Sequence, residues 1–299
     1  MIKIVIIGYG AAGRRHAKIL EKNFKNIEIY IFTKQNIKKF KSFNNLSYIK
    51  VINPDYIIIA SETYNHLNQL KYLEKNFTNK KILVEKPLFH KFYNLNFKKN
   101  NIFINYNLRF HPYIKKLKEI LLKEKIYDIK FITNSYLPNW RKNISYKKNY
   151  TVLKSKGGGV ILDLSHELDI INNFFKKISI VNVLFGKKSD LTKDTEDFLR
   201  LTARSNKTNI SLDINYYSRN EIRVILIDSK NFSIYVDLKR NIFRLNRDKK
   251  SFELRKKYTQ DFTFLKTHEA IINGKDKSSL SKLNDGLKVL KMIQNIKKI

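Results

Sequence analysis

The sequence contains no cysteine. Disulfides, thiolate metal sites and a cysteine nucleophile are thereby excluded. Only 4 prolines and 9 glycines occur in 299 residues, too few for a collagen-like or largely disordered chain. No apolar stretch approaches the ~20 residues a membrane span requires. The opening "MIKIVIIGYG" runs straight into a strand-like segment, without the basic n-region, long apolar core and small-residue cleavage site of a secretory leader. A cytoplasmic protein with no membrane partner is expected. Acidic residues are scarce, 26 against 60 Lys and Arg, giving a formal net charge of +34. Such a charge fits a nucleic-acid binder. The lysines, however, are scattered through segments such as "NIKKFK" and "LRKKYTQ", and no recognition motif accompanies them. Nucleic acid is therefore not the expected partner; the positive field instead suits an anionic substrate or a phosphorylated cofactor. The 6 histidines form no ligand-spaced set, so no metal site is expected.

What is present is a chain long enough for two domains, with 42% hydrophobic and 29% charged residues. Its first hundred residues alternate. "IKIVIIG", "IEIYIFT", "PDYIIIAS", "KKILVEKP" and "NIFINYNL" are short, β-branched, largely apolar runs, as expected of strands buried on both faces. "AAGRRHAKILEKN", with Ala17, Leu20 and Phe24 on one side, and "HLNQLKYLEKN" have helical spacing. Strand, helix, strand at these intervals predicts a parallel sheet. After Pro112 an amphipathic helix carries Ile114, Leu117, Ile120 and Leu121, and a polar, aromatic loop leads to "KGGGVILDLSHELDIINNFF", where glycines open a helix. From about residue 178, strand-like segments at hairpin spacing predict a mostly antiparallel sheet, closed by a final helix. The fold class is α/β: an N-terminal Rossmann domain over 1–108, then an α/β domain with a large, mostly antiparallel open sheet over 109–299.

Gly8, Gly10 and Gly13 form G-x-G-x-x-G between a strand and a helix. The first allows the tight turn, the second lets backbone approach a pyrophosphate, and the third lets helix and strand pack closely. The helix start, Ala11 and Ala12 included, offers N–H groups to phosphate. An acid at the end of the second strand would bind a ribose 2′-hydroxyl. Here Thr33 and Lys34 stand at that place, a hydroxyl and a cation suited to a 2′-phosphate, so NADP(H) is favoured over NAD(H). Glu85, Lys86 and Pro87 fall at the carboxyl end of another strand, where open parallel sheets bind ligands. Asp163 and His166 lie three apart in the glycine-led helix, a spacing that puts them on neighbouring parts of one face.

Together these segments resemble the Gfo/Idh/MocA oxidoreductases, the relatives of glucose–fructose oxidoreductase and inositol dehydrogenase. The resemblance rests on "GYGAAGRRH" (8–16), "PDYIIIASETYNH" (54–66), "VEKPL" (84–88), "NYNLRFHP" (105–112), "GGGVILDLSHELD" (157–169) and the closing "HEAIINGKDKSSLSKLNDGLKVLKMI". It implies an NAD(P)-dependent enzyme that moves a hydride between nicotinamide and a secondary alcohol or ketone of a sugar. It assigns Lys86, Asp163 and His166 as the catalytic set; many members place the histidine four residues after the acid, whereas here the separation is three. Cofactor contacts are expected from Gly8, Gly10, Ala11, Ala12, Gly13, Thr33, Lys34, Ser61, Glu62, Asn65, His66, Glu85, Lys86 and Asn107. Substrate contacts are expected from Lys86, Arg109, Trp140, Arg141, Tyr146, Asp163 and His166, with Tyr106 nearby. "LPNWRKNISY" resembles a branch tied to surface-polysaccharide or nucleotide-sugar metabolism and, with the charge, implies an anionic or nucleotide-linked sugar. A homodimer or tetramer is implied. Two alternatives stay open: a cofactor-binding regulator or scaffold without turnover, and epimerase- or glycosidase-type chemistry with no net redox change.

Overall fold

A computed structural model describes residues 1–140, 145–148 and 150–299. In chain order the first segment forms β1 (Ile2–Ile7), α1 (Ala11–Asn23), β2 (Ile27–Phe32), β3 (Lys41–Phe43), α2 (Tyr48–Ile52), β4 (Tyr56–Ile59), α3 (Thr63–Asn76), β5 (Lys81–Val84) and β6 (Asn101–Ile104). There follow α4 (Pro112–Lys123), β7 (Ile126–Tyr136), α5 (Val160–Asp163), α6 (Ser165–Phe174), β8 (Ser179–Gly186), β9 (Phe198–Ser205), β10 (Thr208–Asn215), β11 (Tyr217–Ser229), β12 (Ser233–Asp237), β13 (Ile242–Arg247) and β14 (Lys250–Arg255). The chain closes with α7 (Gln260–Asn273), β15 (Ser281–Lys282) and α8 (Leu283–Ile296).

Contacts divide the chain into one unit of Met1–Phe110 with Thr259–Leu290 and another of His111–Tyr258 with Lys291–Ile299. This differs from a single cut at 108/109 in one respect. The first crossing falls two residues further on, but α7, β15 and the start of α8 return to the N-terminal unit.

The sheet of the first unit reads β3-β2-β1-β4-β5-β6-β15. The first six strands are parallel and have the Rossmann order 3-2-1-4-5-6; β15 pairs antiparallel to β6. Its central strands are buried on both faces, as their continuous apolar runs predict: Ile4 to Ile7 and Tyr56 to Ile59 are fully buried. One core cluster joins Ile4, Ile6 and Ile58 of the sheet to Ala17 and Leu20 of α1 and to Ala270 and Ile271 of α7. Every loop that follows the carboxyl end of β1, β2, β4, β5 or β6 opens at the same end of this sheet, and strand order reverses between β1 and β4.

The second unit holds an eight-stranded sheet, β14-β13-β12-β11-β7-β10-β9-β8. Only β7 and β10 run parallel; every other pair is antiparallel. Along β9, buried Leu199, Leu201 and Ala203 alternate with exposed Arg200, Thr202 and Arg204, so one face is packed and the other is open. Among the described residues no helix is long and apolar enough to cross a membrane.

Packing at the β1–α1 turn sets a clear test. A Cβ at Gly13 would collide with the Gly8 carbonyl oxygen, a backbone atom that cannot step aside. Gly13→Ala is expected to cost about 2–4 kcal/mol in denaturant unfolding, whereas Gly10→Ala, whose Cβ meets nothing within 4 Å, should leave stability nearly unchanged.

Candidate active site

The glycine turn is built as its spacing predicts. Gly8 has φ +99°, and a Cβ there would lie 2.8 Å from the backbone at Ala60 and Ser61, so β1 and β4 approach as only glycine permits. Gly13 brings α1 against the turn. Gly10, at the N-cap of α1, faces open space. The first turn of α1 contains no acidic residue and its N-cap makes no side-chain hydrogen bond, so the positive end of the helix is left for an anion. Thr33 and Lys34 follow β2, with Thr33 partly buried and accepting from the Gln35 amide and Lys34 exposed. These features fit a dinucleotide: close backbone at Gly8 and Gly13, room at Gly10, and hydroxyl and cation at the ribose end.

Ser61 and Glu62 follow β4. The Ser61 hydroxyl donates to Gln69 Oε1 at 2.8 Å, and Glu62 accepts from Tyr64 at 2.5 Å. Asn65 lies in the first turn of α3, its backbone N–H donating to the Glu62 carbonyl. His66 is buried, and its ring faces three backbone carbonyls: Ser61 at 3.1 Å, Pro87 at 3.2 Å and Leu88 at 3.2 Å. It ties the loop after β4 to the loop after β5 instead of presenting its ring to a groove. Burial holds its pKa below the usual 6.5.

After β5 stand Glu85, Lys86 and Pro87, with the Lys86–Pro87 peptide cis. Glu85 Oε1 takes the His16 Nε2 at 2.8 Å and the Asn105 amide at 2.5 Å; Oε2 takes the Lys86 backbone N–H at 3.3 Å. Burial works against the charge of this carboxyl, but the His16 contact, the Asn105 hydrogen bond and the Lys86 charge hold its pKa below the usual carboxylate value. His16 in turn meets His268 of α7. Sequence reasoning gave His16 and His268 no role; the histidine three residues after the last glycine was the available signal. Asn107 is buried in a 3-10 turn. Arg109, expected at the substrate, is buried and paired with Asp285 of α8 at 3.2 Å.

In the second unit the Asp163 carboxyl is caged by two phenols: Tyr216 donates to Oδ2 at 2.6 Å and Tyr150 to Oδ1 at 3.1 Å. Burial and the Asp163 carboxylate push the Tyr216 phenol well above its ordinary pKa. Trp140 stands edge-on to the Tyr216 ring, centroids 5.1 Å apart. The expectation that Asp163 and His166 share one helix face needs correction. The helix breaks at Leu164 (φ −97°, ψ 28°); Asp163 ends α5, and the partly exposed His166 lies in the first turn of α6. An i,i+3 relation holds only along continuous helix. Tyr146 is partly buried in a separate 3-10 turn, and Arg141 lies outside the described residues. Among the described residues, no group of three or more His, Asp or Glu is placed to hold a metal ion.

The sequence model of the family GFO_IDH_MocA, described as "Oxidoreductase family, NAD-binding Rossmann fold", matches residues 2–96. Residues 2–96 belong to this family. The Gfo/Idh/MocA resemblance read from the glycine and Glu-Lys-Pro motifs thus holds over the nucleotide-binding segment. Solved structures extend the likeness of fold to nearly the whole chain. Levoglucosan dehydrogenase in complex with NADH aligns with TM-score 0.82 and 16% identity, over 99% of this chain and 96% of that one. The WlbA dehydrogenase of Bordetella pertussis, in complex with NADH and UDP-GlcNAcA, aligns with TM-score 0.79 and 14% identity, over 99% and 94%. The UDP-N-acetylglucosamine 3-dehydrogenase GnnA of Acidithiobacillus ferrooxidans gives TM-score 0.76 and 16% identity, over 99% and 96%. A comparison with curated proteins finds no match by sequence. The Gfo/Idh/MocA two-domain fold, a parallel Rossmann sheet and a large, mostly antiparallel one, is thereby established.

Buried imidazoles give a pH prediction. Burial holds His66, His111 (to about 4) and His268 below 6.5. The folded state therefore binds fewer protons than the unfolded state once pH falls below about 6.5, and stability is lost as pH falls further. Glu85, held below its usual 4.5, adds a loss of the same sign at lower pH. The thermal midpoint should fall steadily from about pH 7 to about pH 4; a flat midpoint over that range would contradict neutral buried rings.

Proposed function

We propose that the protein is an oxidoreductase, preferring NADP(H) with NAD(H) as the second choice, that acts on a secondary alcohol or ketone of an anionic or nucleotide-linked sugar. The observation that carries this reading is the glycine turn. Gly8 and Gly13 bring backbone together, and Gly10 leaves open space at an acid-free helix start. The end of β5 supplies a lysine at the same end of the sheet. Sugar and nucleotide-sugar dehydrogenases among the fold relatives support the substrate class.

A bound nicotinamide supplies the hydride donor or acceptor; the protein supplies alignment and charge. Lys86 places a cation beside the sugar oxygen as negative charge develops there. Its backbone is held by Glu85 Oε2. His166 exchanges the hydroxyl proton. Asp163, fixed by the Tyr150 and Tyr216 phenols, is the third member of the set. Trp140, braced edge-on by Tyr216, offers an aromatic face to the sugar or base. Lys34 and Thr33 take the 2′-phosphate. The open sheet face, with Leu184 and Val181 exposed on β8, supports assembly as a homodimer or tetramer, to be read by light scattering.

The test is fluorescence titration with NADPH and NADH, followed by a panel of sugars and uridine-diphosphate sugars. Micromolar binding with hydride transfer to one sugar class supports the reading; failure of both cofactors to bind overturns it. Lys86→Ala should lower kcat by about 100-fold or more while cofactor Kd changes little. Lys34→Asp should reverse the cofactor preference, weakening NADPH about tenfold, the equivalent of ~1.4 kcal/mol. Unchanged NADPH affinity in that variant would remove the 2′-phosphate assignment.

A further inference from the structure

Behind Glu85 runs a file of buried polar side chains that the proposed chemistry does not use. Glu85 Oε1 lies 2.8 Å from His16 Nε2 on α1. His16 Nδ1 lies 2.9 Å from His268 Nε2 on α7. His268 Nδ1 lies 3.0 Å from the hydroxyl of Tyr56, the first residue of β4. His16, His268 and Tyr56 are fully buried, and the Glu85 side chain is 12% exposed. Phe264 packs on the His16 ring and Phe24 on that of His268, so apolar groups close the sides.

The direction of the file follows from one end. A Glu85 carboxylate can only accept, so His16 carries its proton on Nε2. The Nδ1 of a neutral His16 then accepts, so His268 carries its proton on Nε2 as well. His268 Nδ1 accepts in turn, and Tyr56 is the donor at the far end. Every proton in the file points towards Glu85, and each link strengthens the next. The other arrangement gives His16 both protons, reverses the His16–His268 and His268–Tyr56 links and places a cation in the file. Burial opposes charge at His268 and Tyr56: it holds His268 well below its ordinary pKa and, with the Glu85 charge acting the same way, holds Tyr56 well above. The groups acting on Glu85 itself are His16, Asn105 and Lys86.

We propose that His268 and Tyr56 are positioning residues for the Glu85–Lys86 corner. They fix His16 as its Nε2–H tautomer, which keeps Glu85 an anion and, through Oε2, keeps the Lys86 backbone in place. The returning helix α7 is thereby part of the lysine's support. The proposal rests on the reading of Lys86 given above and extends it to Tyr56 and to His268, the latter 182 positions away in sequence.

The experiment uses full-length protein without cofactor or substrate, so it does not depend on turnover. In protein carrying 15N-histidine, long-range 1H–15N spectra should show both His16 and His268 neutral and protonated on Nε2 at neutral pH. His16 protonated on Nδ1, or on both nitrogens, overturns the proposal. This wild-type spectrum decides the direction of the file whatever a variant does to folding. In protein carrying 13C-glutamate, the Glu85 carboxyl should titrate at higher pH in His268→Phe than in wild type. His268→Gln, whose amide can donate to His16 Nδ1, should return it towards the wild-type value. A Glu85 titration unchanged in His268→Phe, or no recovery in His268→Gln, means that His268 only fills space. Failure of NADPH and NADH to bind wild-type protein would instead defeat the oxidoreductase reading and leave the tautomer result standing.

Discussion

A carboxyl group withdrawn from water must be met by donors, and Glu85 is where this constraint falls on the first unit. Its two oxygens take a ring nitrogen from α1, an amide beyond β6 and the backbone N–H that follows β5. Removing one hydrogen-bond partner of a buried group typically costs ~1–3 kcal/mol, and more where the group left behind is charged. Helix α1, already pressed against the turn by Gly13, is thus fixed a second time by His16. The nucleotide-facing turn and the lysine-bearing corner are held by one helix. His66 adds a third tie, linking the loop after β4 to the Pro87–Leu88 backbone through carbonyl contacts.

The second unit solves a similar problem differently. Asp163 is almost fully buried at the end of a four-residue helix, too short to orient it by its own turns. Two phenols from separate segments do so instead, Tyr150 from a 3-10 turn and Tyr216 from the junction of β10 and β11. Tyr216 also carries Trp140 on its ring. One buried aromatic residue therefore positions both an acid and an aromatic face. This economy also explains why a chain with 17 tyrosines cannot be sorted by eye into those that pack and those that hold a site.

Much of this was legible in the sequence. The β-branched runs marked the central strands because burial on both faces leaves no polar positions to confuse the pattern. The glycine spacing marked the turn because Gly8 and Gly13 each answer a steric demand visible in the backbone. Helix α7 was not read as an element, and the reason is physical. Its inward side includes Thr263, Thr267 and His268, all buried and polar, which break the apolar period. Thr259 at the N-cap, Asp261 in the first turn and Gly274 after the last were the remaining signals. The Arg109–Asp285 pair was not legible because its two members lie 176 residues apart. The break at Leu164 was invisible because nothing in "ILDLSHEL" disfavours a continuous helix. Two-residue β15 is defined only by its pairing with β6.

The return of residues 259–290 to the first unit has a consequence for how the protein is made. A ribosome synthesises the whole of Met1–Phe110 before the 148 residues His111–Tyr258, and completes α7 and β15 only after them. At ordinary elongation rates the N-terminal segment waits roughly 7–30 s for its missing pieces. Throughout that interval β6 is an open sheet edge, the core lacks Ala270 and Ile271, and the His16 Nδ1 faces the place that His268 will fill. The nascent Rossmann segment is thus a natural client for whatever shields unfinished surfaces in the cell, and its maturation is timed by the far end of its own message.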